Sequence, residues 1–421
     1  MKPSRYNIEK NDGEFTYVYN TLHGTFLKIL SSMWENIGKT GGDDFSTLYP
    51  SFFAEDDVDE FDVYRYRYYC SAFDNQIVNL VIAPTMNCNF ACAYCFEKEE
   101  HKRGSKMDEK VEDAIVRYLE ENRDKKIHIK WFGGEPLLAF DVMQSISWKL
   151  TGKGIVFDAI IATNGSLFND EIIAQLDSLN IKKVNITLGG VGKMHDERRV
   201  SKNRKPTFDL IIDSIEKIIN RTQAQISISV LVDKSNLSAY EDVCNYLSRR
   251  FGEYMDTRIL LWYNHVRNMT DFQGAEVCFN GNDKFQYLER LLSNNNGINA
   301  LKPCIPRKMN ACQYHLENGF AVDPAGDVYK CQEQFGYKEF VIGNIMKNNL
   351  KESCHAKAIF SNSAFDDPEC CECNLLPSCG GGCPYERNRK KGEKEKSYCS
   401  LYKFGLSGIL PKMYKAHAND E

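Results

Sequence analysis

The sequence has no run of 18 or more apolar residues, which is the length a membrane-spanning helix requires. Residues 1–10 also lack the apolar stretch of a secretory signal peptide, so we expect a cytoplasmic protein. The net charge of −5 gives no positive excess of the kind that attracts nucleic acid. We therefore expect neither a membrane nor a nucleic acid as partner. Without a secretory signal, the 16 cysteines are better explained as metal ligands than as disulfides.

The cysteines are unevenly distributed along the 421 residues, a length that suggests two or three domains. Three lie within residues 88–95 and ten between 304 and 399. Cys70, Cys244 and Cys278 stand alone, and we interpret them as small hydrophobic residues without a catalytic role.

Cys88, Cys92 and Cys95 have the spacing C-x3-C-x2-C and follow the apolar run 78–83, so they lie on a loop at the end of a strand. A [4Fe–4S] cluster normally takes four cysteines. A group of three therefore leaves one iron open to a small molecule. The alternative is a structural zinc site, but zinc prefers paired C-x2-C units.

The segment CNFACAYC that contains these cysteines resembles the signature loop of the radical S-adenosylmethionine (radical SAM) superfamily. The resemblance implies that SAM binds the open iron through its amino and carboxylate groups. It also implies that a 5′-deoxyadenosyl radical abstracts hydrogen from a substrate, with the cofactors carrying the difficult chemistry. A reductase with flavodoxin or ferredoxin would then be the electron donor.

Strands and helices alternate regularly from Val78 to Tyr263, which predicts an α/β fold with a parallel sheet. The predicted strands are 78–83, 127–132, 156–162, 183–188, 225–232 and 257–263, and the predicted helices are 108–122, 140–150, 170–179, 207–220 and 238–250. Six βα units fit an open, partial (β/α)6 barrel, which the radical SAM resemblance also implies. In such sheets active residues gather at the carboxyl ends of the strands.

The second predicted strand is followed by Gly133, Gly134, Glu135 and Pro136. The glycines would let the backbone approach a ligand closely, and the carboxylate could accept a hydrogen bond from an ammonium group. The segment matches the GGEP motif of the family, which implies that these residues hold the amino group of SAM. By itself the segment could be only a turn.

Further candidates for binding the cofactor follow the next strands: Asn164 after the third, Thr187 in the fourth, and Arg199 beyond it. The resemblance implies that Thr187 contacts the ribose and that Arg199 pairs with the SAM carboxylate, which suits a guanidinium. The alternative is that Arg198 and Arg199 are a solvated pair. The chain departs from the family at Gly189, where relatives carry an aspartate.

The second group of cysteines has the pattern C-x13-G-x4-C, then C-x2-C-x5-C-x3-C, then a last cysteine. It resembles the SPASM extension, which implies two auxiliary [4Fe–4S] clusters. The implied ligands are Cys312, Cys331 and Cys383 for the first cluster and Cys370, Cys373, Cys379 and Cys399 for the second, with Cys304 as candidate eighth ligand. If Cys304 does not bind, the first auxiliary cluster has an open iron.

A zinc ribbon is the alternative for this region. Between its two halves, residues 320–331 predict a β-hairpin that turns at Pro-Ala-Gly-Asp. The basic run 387–396 is predicted to be a solvated loop.

The N-terminal residues predict a β-hairpin over 14–29 and helices over 31–37 and 58–68. This order resembles the winged-helix-like recognition unit of peptide-modifying radical SAM enzymes, which binds a leader peptide as an added strand. The alternative is a cap that only covers the barrel. The predicted domains are this unit at 1–75, a radical SAM core at 76–265, a linker with one helix at 266–303 and a Cys-rich SPASM domain at 304–421.

These observations predict a radical SAM maturase that crosslinks a ribosomally made peptide. A second interpretation is an anaerobic sulfatase maturase, which oxidises a cysteine or serine of a protein to formylglycine. In those enzymes an aspartate directly after the second auxiliary cysteine acts as base. Here Gln332 follows Cys331 and Glu333 comes one position late, which matters because proton removal depends on reach. A third interpretation is a catalytically inactive peptide-binding protein or chaperone that keeps its iron–sulfur clusters. The one observation in its favour is Gly189, where relatives carry an aspartate.

Overall fold

The structure is a computed structural model that describes residues 1–40, 43–95, 106–267, 275–293, 305, 307–347, 349–360, 363–389 and 398–418. The chain divides into two compact units. The first consists of residues 1–73, 280–312 and 360–421, and the second of residues 74–279 and 313–359. The four functional domains expected from the sequence stay a prediction, because the compactness of a unit does not assign a function to it.

The described strands are β1 (Lys2–Pro3), β2 (Asn7–Asn11), β3 (Phe15–Asn20), β4 (Thr25–Leu30), β5 (Phe53–Ala54), β6 (Ile77–Ile82), β7 (Lys126–Trp131), β8 (Phe157–Thr163), β9 (Ile181–Leu188), β10 (Gln225–Val232), β11 (Ile259–His265), β12 (Gly319–Val322), β13 (Asp327–Tyr329) and β14 (Gly343–Asn344).

The described α-helices are α1 (Ser31–Thr40), α2 (Asp43–Leu48), α3 (Glu60–Ala72), α4 (Glu109–Glu121), α5 (Phe140–Gly152), α6 (Asp170–Gln175), α7 (Lys193–Arg198), α8 (Phe208–Arg221), α9 (Ala239–Phe251), α10 (Gly281–Ser293), α11 (Glu352–Phe360), α12 (Pro368–Cys371), α13 (Leu376–Cys379), α14 (Pro384–Arg389) and α15 (Leu406–Ala418). Within the described part of the chain, no helix is both long enough and apolar enough to cross a membrane.

The second unit is built on one nine-stranded sheet with the order β11-β10-β9-β8-β7-β6-β12-β13-β14. Strands β6 to β11 are parallel to their neighbours and are the six strands predicted from the sequence, with ends that differ by one or two residues. The α/β class and the six βα units are confirmed. Their carboxyl ends share one edge of the sheet, where the predicted site residues lie.

Helix α4 shows why the predicted helices form where they do. Asp108 caps it by accepting a hydrogen bond from the backbone N–H of Val111 at 3.0 Å. Val111, Ile115 and Leu119, at helical spacing, are at most 2% exposed. The sequence motif Ser105-x-x-Asp108 is also a capping signal, but Ser105 lies outside the described residues.

The predicted hairpin of the second cysteine region extends the sheet of the barrel. Strand β12 pairs in parallel with β6, and β13 pairs antiparallel with β12. The turn between them closes with a bond from the Gly326 N–H to the Asp323 carbonyl at 2.9 Å, and Gly326 has φ +79°, which glycine adopts without strain. Cys331, two residues after β13, thus belongs to the same unit as the barrel.

The first unit contains the antiparallel sheet β2-β3-β4 followed by α1, α2 and α3, and so contains the predicted hairpin and helices. One face of this sheet packs Tyr17 and Tyr19 against Ile409 and Met413 of α15. The other face carries Val18, Leu27 and Ile29, which pack with Phe52 and Phe53. The N-terminal sheet and the C-terminal helix therefore share one core.

Helix α3 packs against the segment that carries the C-terminal cysteines. Tyr64 and Tyr68 form a cluster with Leu376, and the ring centroids of Tyr68 and Phe365 are 5.2 Å apart. The Tyr64 hydroxyl donates to the Lys308 carbonyl at 2.9 Å. The N-terminal residues are thus part of the support of the second cysteine region.

Candidate functional site

The loop with Cys88, Cys92 and Cys95 follows β6 and is anchored by backbone hydrogen bonds. The N–H of Ala91 donates to the Val200 carbonyl at 2.7 Å, and the N–H of Lys202 donates to the Asn89 carbonyl at 2.8 Å. All three cysteines are partly buried. The segment that follows Arg199 therefore holds the middle of the cysteine loop in place.

The two glycines of the GGEP segment bring its backbone against the cysteine loop. A Cβ on Gly133, which has φ +102°, would lie 2.4 Å from the Thr85 carbonyl oxygen. A Cβ on Gly134 would lie 2.3 Å from the Asn87 carbonyl oxygen, and the N–H of Glu135 donates to that oxygen at 2.8 Å. We expected the close approach to be toward a ligand. In the structure it is toward the backbone that leads into Cys88.

The Glu135 carboxylate is fully buried and accepts three hydrogen bonds from the protein. Oε1 accepts from the Thr163 hydroxyl at 2.7 Å and from the Leu137 N–H at 3.1 Å, and Oε2 accepts from the Asn164 N–H at 2.7 Å. Burial raises the pKa of Glu135, and these hydrogen bonds oppose the rise. The carboxylate joins the end of β7 to the end of β8. Its binding to an ammonium group stays a prediction, as does that of Pro136, which is also buried.

The Asn164 side chain also supports the cysteine loop. Its Nδ2 donates to Asn89 Oδ1 at 2.8 Å, and its Oδ1 accepts from the N–H and hydroxyl of Ser166. Asn89 lies between the first two cysteines and donates to the Ser166 hydroxyl at 3.0 Å. Asn164 therefore has a clear positioning role, whereas cofactor binding by this residue stays a prediction.

Arg199 presents a buried guanidinium beside the cysteines. Nη1 donates to the Tyr94 hydroxyl at 3.5 Å, and the guanidinium carbon lies 5.6 Å from the Phe90 ring centroid. Burial by itself lowers the pKa of Arg199, but Tyr94 and the sulfurs of Cys92 and Cys88 raise it above its ordinary value. The buried Nε has no hydrogen-bond partner among the described residues. A buried guanidinium with one nitrogen free of hydrogen bonds is well suited to a carboxylate, as the prediction for Arg199 requires.

Arg198 differs from its neighbour because it is paired. Its guanidinium binds the Asp233 carboxylate through two contacts of 2.5 and 3.4 Å and the Ser235 hydroxyl at 2.7 Å. The side chain of Arg198 is 15% exposed and that of Asp233 is 2% exposed. The alternative of a solvated arginine pair is therefore wrong for Arg198.

Sequence reasoning missed Asp233, which follows the end of β10. A Cβ on Gly189, at the end of neighbouring β9, would lie 3.2 Å from the Arg198 Cβ and 3.5 Å from the Arg199 Cγ. A side chain at 189 would therefore meet both arginines. The chain lacks an acid there and instead supplies one to Arg198 from the next strand, a pattern that strand order could have suggested.

Thr187 is partly buried on β9 opposite Ser229 of β10. The Ser229 hydroxyl accepts from Asn264 Nδ2 of β11 at 3.2 Å. Small polar side chains thus continue across three adjacent strands. The predicted contact of Thr187 with a ribose is consistent with this polar row and stays a prediction.

A family model for the radical SAM superfamily matches residues 82–247, a range that includes every element of this site. This part of the chain is a radical SAM domain. The whole chain is 24% identical over 369 residues to a cysteine-type anaerobic sulfatase-maturating enzyme of Clostridium novyi. This alignment covers 80% of this chain and 96% of that relative. The chain is thus of the maturase type, and its family implies a [4Fe–4S] cluster and SAM.

Two solved structures confirm the fold of this radical SAM enzyme. Native anSMEcpe with bound AdoMet has a TM-score of 0.62 at 18% identity, covering 82% of this chain and 100% of that one. Streptococcus suis SuiB bound to its precursor peptide SuiA has a TM-score of 0.56 at 14% identity, covering 94% of this chain and 98% of that one.

The segment after Cys331 lies against β7 of the radical SAM barrel. Lys130 Nζ donates to Gln332 Oε1 at 2.9 Å, and Glu333 pairs with Arg267 at 3.2 Å. Burial lowers the pKa of Lys130, while Glu333 and Cys331 oppose that shift. Gln332, the residue after Cys331, is therefore an amide whose oxygen accepts from Lys130. Glu333 pairs with Arg267 through Oε1, while its buried Oε2 has no hydrogen-bond partner among the described residues.

Four of the C-terminal cysteines of this radical SAM enzyme line a single cavity in the first unit. They are the ligands implied for the second auxiliary cluster: Cys370, Cys373, Cys379 and Cys399. Cys371 does not line the cavity, and its sulfur contacts the Phe365 carbonyl at 3.2 Å. The structure therefore brings this predicted ligand set together and leaves out Cys371, which also lies outside the cysteine spacing of the sequence pattern.

The implied ligands of the first auxiliary cluster are not tested in this way. Cys312 and Cys383 belong to the first unit, Cys331 belongs to the second, and Cys304 lies outside the described residues. This ligand set stays a prediction.

Among the described residues, no three Cys, His, Asp or Glu side chains converge on a position for a single metal ion. A structural zinc needs four ligands around one point, whereas a cubane cluster takes its sulfurs around a larger body. The choice between zinc and a cluster therefore rests on the metal analysis proposed below.

Proposed function

We propose that this radical SAM enzyme oxidatively modifies a ribosomally made peptide, most simply by forming a crosslink. Cys88, Cys92 and Cys95 would hold the [4Fe–4S] cluster which, with SAM bound, supplies the power to abstract a hydrogen atom from the peptide. The remaining steps of the proposal concern what the protein's own residues do.

In this proposal Arg199 binds the SAM carboxylate, because the Nε of its buried guanidinium has no hydrogen-bond partner among the described residues and Nη1 makes one long bond, to Tyr94. Residues 133–136 receive the amino group and Thr187 faces the ribose. Asp233 contributes indirectly by neutralising Arg198, so that one guanidinium is available rather than two.

The observation that carries the peptide proposal is the N-terminal sheet β2-β3-β4 with three helices after it. β4 is an edge strand of this sheet in the described chain. The Ser31 N–H donates to the Glu14 carbonyl, and since antiparallel pairs alternate, the backbone N–H of Lys28 points away from β3. Such an edge can accept an extended peptide as a further strand. SuiB bound to SuiA, similar in fold over 94% of this chain, is a structure with a precursor peptide.

The auxiliary clusters and the electron donor belong to the same proposal. Cys370, Cys373, Cys379 and Cys399 would hold one closed cluster, and the set with Cys312, Cys331, Cys383 and Cys304 another. They would accept the electron that leaves the modified peptide. A flavodoxin or ferredoxin with its reductase would deliver the electron that starts the cycle.

Formylglycine formation is the second candidate, favoured by the 24% identity to the Clostridium novyi enzyme. The residue after Cys331 argues against it, because Gln332 cannot act as a base. Glu333 comes one position later, with Oε1 paired with Arg267 at 3.2 Å and Oε2 without a hydrogen-bond partner among the described residues.

The peptide proposal is tested with matched proline substitutions on the two edges of the N-terminal sheet. Proline removes a backbone N–H and blocks strand addition. Lys28→Pro affects the β4 edge, and Glu9→Pro affects the β2 edge, where the Glu9 N–H also points away from β3. Both residues are exposed. Fluorescein-labelled peptides encoded beside this gene would serve as probes in anisotropy measurements.

We expect Lys28→Pro to abolish peptide binding and Glu9→Pro to leave it unchanged. Both variants should retain peptide-independent SAM cleavage. Equal peptide affinity in both variants would contradict strand addition at β4. Mass spectrometry of the product separates the two functions. A crosslink removes two hydrogens, and formylglycine formed from cysteine removes two hydrogens and replaces sulfur by oxygen. Formylglycine formed from serine also removes only two hydrogens, so fragmentation of the product then shows whether two residues have been joined. Deleting residues 1–75 is a poor test, since Tyr64 and Tyr68 pack against the cysteine-bearing C-terminal segment.

A further inference from the structure

Arg387 is buried beside the four-cysteine cavity of the first unit. The sequence placed it at the start of a solvated basic loop, but its side chain is 8% exposed, and residues 390–396 of that run lie outside the described residues. For Arg387 the solvated interpretation is wrong. A buried guanidinium is costly unless its donors are used, so its contacts need an explanation.

Three different groups fix the Arg387 guanidinium. Nη2 contacts the Cys370 sulfur at 2.9 Å, Nη1 pairs with Asp367 Oδ2 at 3.0 Å, and Nε donates to the Gly381 carbonyl at 3.1 Å. The guanidinium carbon of Arg387 also lies 4.5 Å from the Tyr398 ring centroid. The planar fork is thus held in one orientation, with one N–H directed at a sulfur.

The contact with Cys370 is the unusual one, because a neutral thiol is a weak hydrogen-bond acceptor. A cationic donor favours a sulfur that carries negative charge, as it does when it binds a metal. The arrangement therefore suits a ligated Cys370 better than a free one.

A second cation borders the same cavity. Lys403 lines it and pairs with Glu369 at 3.5 Å, in a half-exposed position. Four thiolates around an iron–sulfur cluster carry net negative charge, which increases on reduction. The positive charges are therefore complementary to the group that the cavity is proposed to hold.

We propose that Arg387 is a positioning residue of the second auxiliary cluster, where it donates a hydrogen bond to the Cys370 sulfur and raises the reduction potential of the cluster. The inference rests on the proposed function, which places a cluster on these four cysteines. Hydrogen bonds to cluster sulfurs and nearby charge are the means by which a protein sets such a potential. A positive charge stabilises the more negative, reduced state, and Asp367 moderates that effect by pairing with Arg387.

The experiment uses full-length protein with Cys88, Cys92 and Cys95 changed to alanine, so that only auxiliary clusters contribute. Iron and zinc are quantified after anaerobic reconstitution, and midpoint potentials are measured by EPR-monitored titration. A Cys373→Ala variant assigns the signal of the second auxiliary cluster. The test variants are Arg387→Gln, Arg387→Lys and Asp367→Asn. Arg389→Gln, on the same helix but exposed, is the matched control.

We expect the assigned midpoint to become more negative in Arg387→Gln, to shift less in Arg387→Lys, and to become more positive in Asp367→Asn, with Arg389→Gln unchanged. If Arg387→Gln loses its iron, the midpoint potential is compared between the parent and Arg387→Lys instead. Full iron loading with an unshifted midpoint in both Arg387 variants would overturn the inference. Zinc, or no iron lost in Cys373→Ala, would instead remove this auxiliary cluster from the proposed function.

Discussion

The two cysteine regions of this enzyme each combine cysteines with a buried arginine, but they use the arginine differently. In the loop of residues 88–95, Arg199 has one long hydrogen bond and a buried nitrogen without a partner in the described chain. In the C-terminal cavity, Arg387 is fully engaged with a sulfur, a carboxylate and a carbonyl. The first region leaves a nitrogen of its arginine free for a ligand, whereas the arginine of the second region has its donors used within the protein.

The number of cysteines follows the same division. Three cysteines lie on the N-terminal loop, while four line the C-terminal cavity. A cluster with three protein ligands has an open position, and one with four is closed. The two regions thus suit one reactive cluster and one that only transfers electrons.

The largest expected effect separates the two regions by mutation of their cysteines. Changing Cys88, Cys92 and Cys95 to alanine should abolish formation of 5′-deoxyadenosine from SAM and dithionite and remove about four irons, one cluster's content. Cys373→Ala should also remove about four irons but retain peptide-independent deoxyadenosine formation. Retained deoxyadenosine in the triple variant, or its loss in Cys373→Ala with the first cluster still loaded, would break the comparison.

The sequence predicted the barrel well because its six strands are apolar runs separated by amphipathic helices. Such periodic patterns report directly on burial, as in β6, where Val78, Leu80 and Ile82 are at most 1% exposed. It did not show that β12 would extend the barrel sheet next to β6. That pairing joins residues more than 200 positions apart, and no local pattern encodes it.

The second expected effect concerns Arg199. Arg199→Gln should weaken SAM binding to the reconstituted enzyme by roughly 10- to 100-fold, since hydrogen bonds to charged groups contribute about 1.5–3 kcal/mol. Arg387→Gln should leave SAM affinity unchanged. Isothermal titration calorimetry under anaerobic conditions measures both, with the exposed, ion-paired Arg221→Gln as control. Unchanged SAM affinity in Arg199→Gln would mean that the open guanidinium serves another ligand.

The individual roles within the site were less predictable than its location. Motif matching marked Glu135 and Asn164 as cofactor residues, but their side chains are occupied by bonds that join strand ends and the cysteine loop. Arg387 was hidden in a basic run because sequence does not show that its helix turns one arginine inward. Asp233 was missed because its partner Arg198 is 35 residues away. These roles depend on which strand ends become neighbours.

A smaller effect is expected from Glu135→Gln. The amide keeps one acceptor oxygen but replaces the other with a donor, so at least one of the buried N–H or O–H groups that bind Glu135 loses its acceptor. The free energy of unfolding should fall by about 1–3 kcal/mol. Anaerobic urea denaturation measures it, and Glu109→Gln, whose side chain is 82% exposed, should change it by less than about 0.5 kcal/mol. Equal free energies of unfolding for Glu135→Gln and Glu109→Gln would show that the hydrogen bonds to the Glu135 carboxylate do not stabilise the fold.

The smallest effect distinguishes the regions by their response to acid. A buried histidine interacts with Arg199, whereas no histidine is among the described residues that line the C-terminal cavity. His195 is 0% exposed, and its Nδ1 accepts from the Gly189 N–H at 3.4 Å. Burial, with a contribution from Arg199, lowers the pKa of His195 to about 3 from its ordinary value of 6.5.

The sign of the effect follows from this shift. The folded state keeps His195 neutral, whereas the unfolded state takes up a proton below pH 6.5, so the contribution of His195 to stability is lost progressively as the pH falls toward 3. Between pH 7 and pH 5 we expect a loss of about 1–2 kcal/mol that His195→Gln does not show. Tryptophan fluorescence during urea denaturation follows the relevant unit, since Trp131, Trp148 and Trp262 all lie in it. The same pH dependence in the parent and in His195→Gln would place the acid sensitivity elsewhere, and the contrast between the two cysteine regions would then rest on their arginines alone.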